Sequence, residues 1–303
     1  MLALIGTIPD ITFPVVKGEV SLKNEKIYIQ DRSVPVNRGT AALIAAAVKT
    51  LEFLGQSFPS ACLAGDIGLG EGSRSIYESL VREVGCSGFT TIAFHYLQPD
   101  VDWHNRVLFA INDMAKRPFL IADAGFMYAA KMSGQAEAYD LFTPDMGELA
   151  FLADEKAPHP FYTRGFILHE ENLASELITR AYAHKNAAGH LLVKGKEDYL
   201  ANHEGILDSV NTHIKEAMEA IGGTGDTLTG IVAALLESGM EINEAAITAA
   251  KVNRLAGYKA KPTPATQVIE IINQIPSALS DILAMDQPVD TKNDLFLETG
   301  TNA

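Results

Sequence analysis

The sequence predicts an α/β fold with a doubly wound, mostly parallel central sheet and helices on both faces of that sheet. Along most of the 303 residues, short apolar runs alternate with stretches of helical periodicity, which is typical of parallel strands joined by crossover helices. No Pro/Gly/Ser-rich linker, internal repeat or low-complexity block divides the chain. We therefore expect a single domain over residues 1–285 and a polar tail over residues 286–303.

Five apolar runs are predicted to be strands of the sheet, because each is short and most are followed by a helical pattern. They are residues 2–6, 61–67, 90–96, 118–124 and 190–195. After the fifth run, His203, Glu204 and Gly205 resemble a turn between two short strands. An antiparallel hairpin is therefore expected at one edge of the sheet.

Helical periodicity predicts helices between these strands, at residues 39–54, 73–84, 102–115 and 172–184. A further helix is predicted to begin near Asp226, and Gly239 fits its C-terminal cap. Its apolar residues recur at i, i+3, i+4, i+7 and i+8, which is the pattern of a helix packed on one face. They are Leu228, Ile231, Val232, Leu235 and Leu236.

Composition and charge argue against several classes of protein. A formal net charge of −14, without a basic cluster interleaved with aromatic residues, argues against nucleic acid as a partner. No membrane span is expected, since no apolar run reaches about 18 residues, and the apolar start lacks a signal peptide's basic region. Cys62 and Cys86 are the only cysteines, which favours a cytoplasmic location. Scattered histidines without an HxxxH pair argue against zinc.

A glycine-rich turn, "EAIGGTGDTLTG", precedes the helix that begins near Asp226. Gly222, Gly223 and Gly225 lack a Cβ, so an anion can approach the backbone N–H groups at the positive end of that helix. Two interpretations of Asp226 stay open from these residues alone. It is either a functional carboxylate beside an anion site or an N-cap of the helix.

Four other motifs follow predicted strands, where ligands bind in open α/β sheets. They are "LAGDIGLGEGS", "IADAGF", "LFTPDMGELAFL" and "LLVKGKEDYL". The aromatic residues of "AFHYLQPDVDW" are interpreted as strand-end packing or the wall of a pocket.

Taken in order, these motifs resemble those of the ribokinase-like superfamily. They are most similar to the ADP- or ATP-dependent NAD(P)H-hydrate dehydratases, which carry "GPGLG", "DADAL", "TPHPGE", "KG" and "GGTGDVLAGIIAGLLAQG" segments. The resemblance extends from about Gly39 to Gly257. It implies a three-layer ribokinase-like fold, ADP or ATP as nucleotide, and Mg²⁺.

The resemblance also implies roles for the glycine-rich turn and the "KG" strand end. Asp226 would be the base that takes the proton of the attacking hydroxyl, and Lys194 with Gly195 would contact the nucleotide. From the residues alone, Lys194 is also open to a second interpretation, as a solvated lysine that ends a strand. The anion hole around the transferred phosphoryl group would be formed by Gly222, Gly223, Thr224 and Gly225.

Five further residues match the family's pattern less completely. Gly68 and Gly70 would lie near the substrate, or would simply form a turn. Asp123 matches one aspartate of "DADAL" and would contact substrate, or would only cap a strand end. Asp145 replaces the histidine of "TPHPGE" beside the substrate. Glu148 would organise Mg²⁺ indirectly, since hard oxygen ligands suit that ion.

The resemblance implies an enzyme that phosphorylates the hydroxyl of a small substrate, with hydrated NAD(P)H favoured as that substrate. A sugar or vitamin-precursor kinase of the same superfamily is the close alternative, because its first step is identical. A non-catalytic nucleotide-binding regulator is the third, although retention of Asp226 speaks against it, since binding alone needs no base. The sequence is compatible with a homo-oligomer and with a monomer.

Overall fold

A computed structural model of the chain describes residues 1–158 and 174–285. Within these residues eleven strands join into one mixed sheet. In chain order they are β1 (Leu2–Ile8), β2 (Val16–Lys23), β3 (Lys26–Ile29), β4 (Arg32–Pro35), β5 (Ser60–Gly65), β6 (Thr91–His95), β7 (Phe119–Ala122), β8 (Leu141–Phe142), β9 (His190–Val193), β10 (Asp198–Asn202) and β11 (Gly205–Val210).

The strands are ordered β11-β10-β9-β8-β7-β6-β1-β5-β2-β3-β4 across the sheet. The six central strands, from β9 to β5, are parallel, so the predicted doubly wound, mostly parallel sheet is confirmed. β1 lies between β6 and β5, where the order of the strands reverses. In such sheets ligands bind beyond the carboxyl ends of the strands at this switch point.

Both edges of the sheet are antiparallel. The predicted hairpin is confirmed as β10 and β11, which pair with each other beside β9. The prediction of one antiparallel edge is incomplete, because β2, β3 and β4 extend the other edge as an antiparallel meander beside β5. β3 and β4 have four residues each, and in the eight-residue β2 only Val16 and Val20 are buried, four positions apart, so apolar alternation did not reveal these strands.

Ten α-helices are present in the described part of the chain, and they cover both faces of the sheet. In chain order they are α1 (Thr40–Phe53), α2 (Glu71–Glu83), α3 (Val101–Asn112), α4 (Ala124–Met132), α5 (Met146–Ala153), α6 (Ala174–Ala183), α7 (Thr224–Glu237), α8 (Ile242–Lys259), α9 (Val268–Ile272) and α10 (Ile275–Met285). One apolar core lies between the sheet and the layer of α1 and α7 to α10. A second core lies under α2 to α6, which gives the expected three layers.

The stretch Val268–Met285 is long and apolar enough by composition to cross a membrane. In the structure it is divided into α9 and α10, and both helices contribute side chains to the first core. Its hydrophobicity is therefore accounted for by packing against α1 and α8.

The predicted helices are confirmed with small differences at their ends. The predicted helix over residues 172–184 is described from Ala174 onward, and its first two residues lie outside the described residues, as does the predicted tail over 286–303. The helix predicted to begin near Asp226 begins instead at Thr224, with Gly223 as its N-cap at φ 103. Asp226 is thus not the N-cap of α7, because glycine takes the left-handed conformation that this turn requires.

Candidate active site

Asp226 lies in the first turn of α7, and its carboxylate is held by groups distant in the sequence. The backbone N–H of Gly39 donates to Oδ2 at 2.7 Å, and His95 Nε2 lies 3.0 Å from Oδ1. Burial alone would raise the pKa of Asp226, but the hydrogen bond and charge of His95 lower it below its usual value, with Lys194 and Gly39 contributing. Asp226 is therefore an ionised carboxylate at neutral pH.

Asp123, which follows β7, connects the groups around Asp226 to Lys194. Lys194 Nζ donates to both carboxylate oxygens of Asp123, at 2.9 and 3.0 Å, and the Thr229 hydroxyl of α7 donates at 2.7 Å. Asp123 also accepts the Ala124 N–H as the N-cap of α4, so it caps the turn after β7 in addition to pairing with Lys194. It is 1% exposed, and its expected contact with substrate stays a prediction.

Lys194 is not the solvated lysine that one interpretation of the sequence described. Its side chain is 14% exposed and paired with Asp123. Burial would lower the pKa of Lys194, yet the carboxylates of Asp123 and Glu148 raise it above its usual range. Lys194 is therefore a fixed positive charge at the carboxyl end of the parallel strands.

The turn after Lys194 is fixed by Arg254, a buried residue of α8 that the sequence analysis did not single out. Arg254 Nη2 donates to the carbonyl oxygens of Gly195 and Lys196, both at 2.8 Å. Its Nε donates to Asp198 at 2.7 Å, and Asp198 in turn accepts the Gly195 N–H at 3.0 Å. These hydrogen bonds fix the backbone of Gly195, which lines the same cavity as Lys194.

Asp145 and Glu148 form a capping box at the start of α5. The Asp145 side chain accepts the Glu148 N–H, and the Glu148 side chain accepts the Asp145 N–H, each at 2.8 Å. Tyr128 OH donates to Glu148 at 3.1 Å. Burial raises the pKa of Glu148 to about 7, with Asp123 and Asp145 raising it and Lys194 opposing them. Asp145 and Glu148 line the same cavity as Lys194, so their carboxylates give its wall a cluster of oxygen atoms.

The glycine-rich turn packs closely against the segment that precedes α1. A Cβ added to Gly223 would lie 3.2 Å from the Cα of Arg38 and 3.1 Å from a methyl group of Val268. The first N–H groups of a helix have no partner within the helix, and those of α7 begin at Thr224. The side chain of Asn253 braces this turn from α8, since its Nδ2 donates to the Thr224 carbonyl at 3.0 Å.

The loop with Gly68 and Gly70 encloses Asp66. Both glycine N–H groups donate to Asp66 Oδ1, at 2.9 and 3.0 Å, and both glycines have positive φ. Ser73 of α2 donates to Asp66 Oδ2 through its N–H and its hydroxyl. The interpretation of this loop as a turn is correct, and the side chain that the loop presents to the large cavity is Asp66. The expected contact of Gly68 and Gly70 with substrate stays a prediction.

Two large cavities open at this edge of the sheet, and Asp226 lines both. We call the first, about 660 Å³, the Lys194 cavity; Glu148, Lys194, Thr224, Gly225 and Arg254 are among its lining residues. We call the second, about 790 Å³, the Asp66 cavity; Asp10, Asn37, Arg38, Asp66 and Gly222 are among its lining residues. Tyr96, Gly223 and Asp226 line both cavities. The site is therefore a two-chamber site whose junction contains a carboxylate.

Tyr96 forms a wall at this junction, in agreement with the pocket interpretation of the aromatic segment. It has a positive φ of 51, and its carbonyl accepts the Thr7 hydroxyl at 2.6 Å. Its ring is 4.1 Å from the ring of His95. The backbone conformation of a bulky residue at positive φ is unusual and is often associated with a functional site.

His95, Asp123 and Asp226 place three potential ligand atoms within 4.8 Å of one another. Their oxygens already accept hydrogen bonds from Lys194, Thr229 and the Gly39 N–H. The set is consequently better described as a network of ion pairs and hydrogen bonds than as a metal site. Sequence reasoning missed His95, and its position at the carboxyl end of β6 was the one available signal.

Comparison with known proteins places this site in a family context. The profile of the family described as NAD(P)H-hydrate dehydratase matches residues 99–277. An uncharacterized protein of Methanocaldococcus jannaschii is 42% identical over 242 residues, which cover 80% of this chain and 100% of the relative. A bifunctional NAD(P)H-hydrate repair enzyme of Pyrobaculum aerophilum is 32% identical over 147 residues, which cover 48% of this chain and 26% of that enzyme.

Solved structures with the same architecture have lower sequence identity. A ribokinase-like superfamily protein of Enterococcus faecalis aligns with a TM-score of 0.55 and 17% identity, covering 93% of this chain and 87% of that chain. The pyridoxal kinase of Staphylococcus aureus, in complex with AMP-PCP and pyridoxal, aligns with a TM-score of 0.50 and 14% identity, covering 85% and 88%. These similarities establish the ribokinase-like fold.

Proposed function

Because the chain belongs to the NAD(P)H-hydrate dehydratase family and is an enzyme of that kind, we propose that it uses ATP or ADP to phosphorylate a hydroxyl of its substrate, with hydrated NAD(P)H as the favoured substrate. The observation that carries this proposal is the position of Asp226. Its carboxylate lies at the junction of the two cavities and at the N-terminal turn of α7.

The two cavities differ in the ligand that they suit. The Lys194 cavity combines a fixed cation with the free N–H groups of the first turn of α7, and both favour the phosphates of a nucleotide. The Asp66 cavity is lined by three carboxylates and two amides, with Arg38 as its one cation. Carboxylates and amides accept hydrogen bonds from hydroxyl groups, so this set suits a hydroxyl-bearing acceptor better than a triphosphate. We assign the nucleotide to the first cavity and the acceptor to the second, so that the two reacting groups meet beside Asp226.

The chemistry needs positioning and charge neutralisation more than covalent help from the protein. The acceptor hydroxyl attacks the terminal phosphorus, the bond to the leaving nucleotide breaks, and Asp226 accepts the hydroxyl proton. The N–H groups at Gly222, Gly223, Thr224 and Gly225 would stabilise the negative charge on the transferred group. With hydrated NAD(P)H, the phosphate then leaves with the carbon–oxygen electron pair, and loss of a proton from the adjacent ring carbon restores NAD(P)H.

The residues present also fit Mg²⁺, which favours oxygen ligands and retains several waters. Glu148 and Asp145 present carboxylates to the Lys194 cavity beside the assigned phosphates. We propose that Glu148 holds the ion through water, and the bound ion would neutralise charge on the phosphates.

A kinase for a small polyhydroxyl acceptor is the second candidate, and one observation favours it. Three carboxylates, those of Asp10, Asp66 and Asp226, line the acceptor cavity against the single cation Arg38, and a dinucleotide would bring its own two phosphates near them. Like charges in proximity disfavour binding. A neutral sugar or vitamin precursor would avoid that repulsion, and the phosphate ester would then be the product.

One assay separates the two candidates. The protein is incubated with ATP or ADP and Mg²⁺, together with hydrated NADH in one series and with neutral polyols in another. Recovery of the reduced-nicotinamide absorbance, with release of inorganic phosphate, is the expected result for the dehydratase. Accumulation of a phosphate ester without that recovery would support the kinase. Absence of nucleotide consumption with every acceptor would contradict both.

A further inference from the structure

Two histidines are fully buried in the described residues, and their surroundings differ in charge. His104 is 0% exposed, and its ring nitrogens lie 2.8 Å from the Tyr139 hydroxyl and 3.0 Å from the Ser133 hydroxyl. Burial lowers the pKa of His104 to about 4, as is usual for an imidazole without a carboxylate partner. His95 is 1% exposed but lies between two carboxylates.

The hydrogen bonds of His95 fix where its protons are. Thr40 has one hydroxyl proton, and that proton is donated to the Thr7 carbonyl at 2.7 Å. The Thr40 oxygen is then the acceptor for His95 Nδ1, which lies 2.9 Å away. The other ring nitrogen, Nε2, faces Asp226 Oδ1 at 3.0 Å. Because an ionised carboxylate can only accept, a hydrogen bond there needs a second proton, on Nε2. The ring thus carries a proton on each nitrogen when Asp226 is ionised.

We propose that His95 is a positioning residue, an imidazolium that holds the carboxylate of Asp226 ionised and fixed in orientation toward the acceptor. The proposal rests on the proposed function, because it gives Asp226 the role of base. His95 itself lines neither cavity, whereas Asp226, which its ring contacts, lines both. Its effect is therefore exerted entirely through Asp226.

The charges around His95 suit an imidazolium. From His95 Nε2, an oxygen of Asp226 lies at 3.0 Å and an oxygen of Asp123 at 4.0 Å, while Lys194 donates to both oxygens of Asp123. The side chains thus form one network in which carboxylates and cations alternate, in the order Asp226, His95, Asp123 and Lys194. Each charge in this network has an opposite charge as its neighbour. The ring of Tyr96 packs against the ring of His95, with 4.1 Å between the ring centres. Glu148 is a further carboxylate nearby, and its charge raises the pKa of Lys194 and of Tyr96.

Two substitutions separate the hydrogen bond from the charge. H95Q places a neutral N–H₂ group at the reach of Nε2 and can still donate to Asp226. H95N reaches only as far as Nδ1, so it retains the contact with Thr40 and removes both the hydrogen bond and the charge from Asp226. The matched control is H104N, which makes the same change at the other buried histidine, away from both cavities.

The readout is the pH dependence of kcat/KM, whose acid limb reports ionisation of the free enzyme's base. Without the imidazolium, Asp226 is harder to ionise, so we expect the acid limb of H95N to move upward by about one pH unit or more. H95Q should move it less, and H104N should not move it. An acid limb that stays in place in H95N, with activity reduced equally at every pH, would show that His95 is merely structural.

A measurement on the unmodified protein keeps the inference testable if these variants fail to fold. Nitrogen-15 NMR of the side chains distinguishes protonated from unprotonated ring nitrogens. We expect one buried histidine to carry protons on both nitrogens at pH 7.5, with His104 neutral. A neutral His95 at that pH would overturn the proposal.

The two failures are distinguishable. If the unmodified enzyme consumes no nucleotide with any acceptor, then the proposed function fails, while the NMR result still reports on the His95–Asp226 pair. If the enzyme turns over and neither the acid limb nor the NMR signal behaves as expected, only the role of His95 fails.

Discussion

Asp226 is held by residues that lie far from it in the chain. Gly39 is 187 residues away and His95 is 131 residues away. The sequence indicated that a carboxylate follows a glycine-rich turn, and this was enough to single out Asp226. It did not indicate what the carboxylate contacts, because those contacts depend on how β1, β6 and α1 converge on α7. For the same reason Lys194 and Asp123 were singled out separately and their ion pair was not foreseen.

Glu148 combines a helix cap with a position beside the assigned phosphates, so its two roles can be separated. We expect E148Q to weaken the Mg²⁺ dependence of turnover and to lower turnover, while the melting temperature changes little. The physical reason is that the amide oxygen of glutamine still accepts the Asp145 N–H, but the charge that attracts the ion is lost. Turnover is titrated against Mg²⁺ and compared with thermal unfolding.

The matched control for this change is E270Q. Glu270 forms the same capping box with Gln267 at the start of α9, and neither residue lines either cavity. E270Q should leave both Mg²⁺ dependence and turnover unchanged. If E148Q lost stability and activity in proportion, Glu148 would be structural rather than a metal-organising residue.

At the scale of elements, the site depends on the close packing of α1 against α7. A Cβ added to Gly230 in α7 would lie 2.1 Å from the backbone oxygen of Leu43 in α1. The two helices therefore approach each other at a distance that only glycine allows. This approach brings the Gly39 N–H at the start of α1 to Asp226 in the first turn of α7.

We predict that G230A destabilises the protein by about 1–3 kcal/mol or more, because the added methyl group forces α1 and α7 apart. It should also lower turnover beyond the loss of folded protein, since the Gly39 contact with Asp226 is disturbed. The control is G88A, where an added Cβ meets nothing within 4 Å. Denaturant unfolding and turnover of both variants check the prediction, and equal behaviour of the two would contradict it.

The central strands and most helices could be predicted from the sequence, because their apolar residues follow a regular period. Residues 90–96 and 118–124, for example, were predicted as strands and contain β6 and β7. The meander of β2, β3 and β4 was not predicted, since each of these strands buries only one or two residues. The start of α7 was misplaced by two residues, because a left-handed glycine rather than aspartate precedes it.

At the scale of the whole molecule, an acidic protein is proposed to bind an anionic nucleotide. The formal net charge is −14, so attraction must come from local groups in the Lys194 cavity. Lys194 is a fixed cation there, and the N-terminal turn of α7 adds partial positive charge. Both act at short range, where solvent and salt screen them least.

Nucleotide binding should therefore stabilise the folded protein through its phosphates. At a concentration of about 100 times the dissociation constant, a ligand adds roughly 2.7 kcal/mol, so ATP or ADP with Mg²⁺ should raise the melting temperature by several degrees. Adenosine, which lacks the phosphates, should raise it much less. An equal rise with adenosine would contradict the assignment of the phosphates to the glycine-rich turn and Lys194.

The most direct test of the account is the turnover of D226N with its nucleotide affinity measured in parallel. Asparagine keeps the size of the side chain and can accept the Gly39 N–H, but it cannot take a proton. We predict that nucleotide affinity changes little while turnover falls by roughly 10²-fold or more, as expected when a positioned base is removed. A D226N variant with full turnover would contradict the claim that the carboxylate at the junction of the two cavities is the base for phosphoryl transfer.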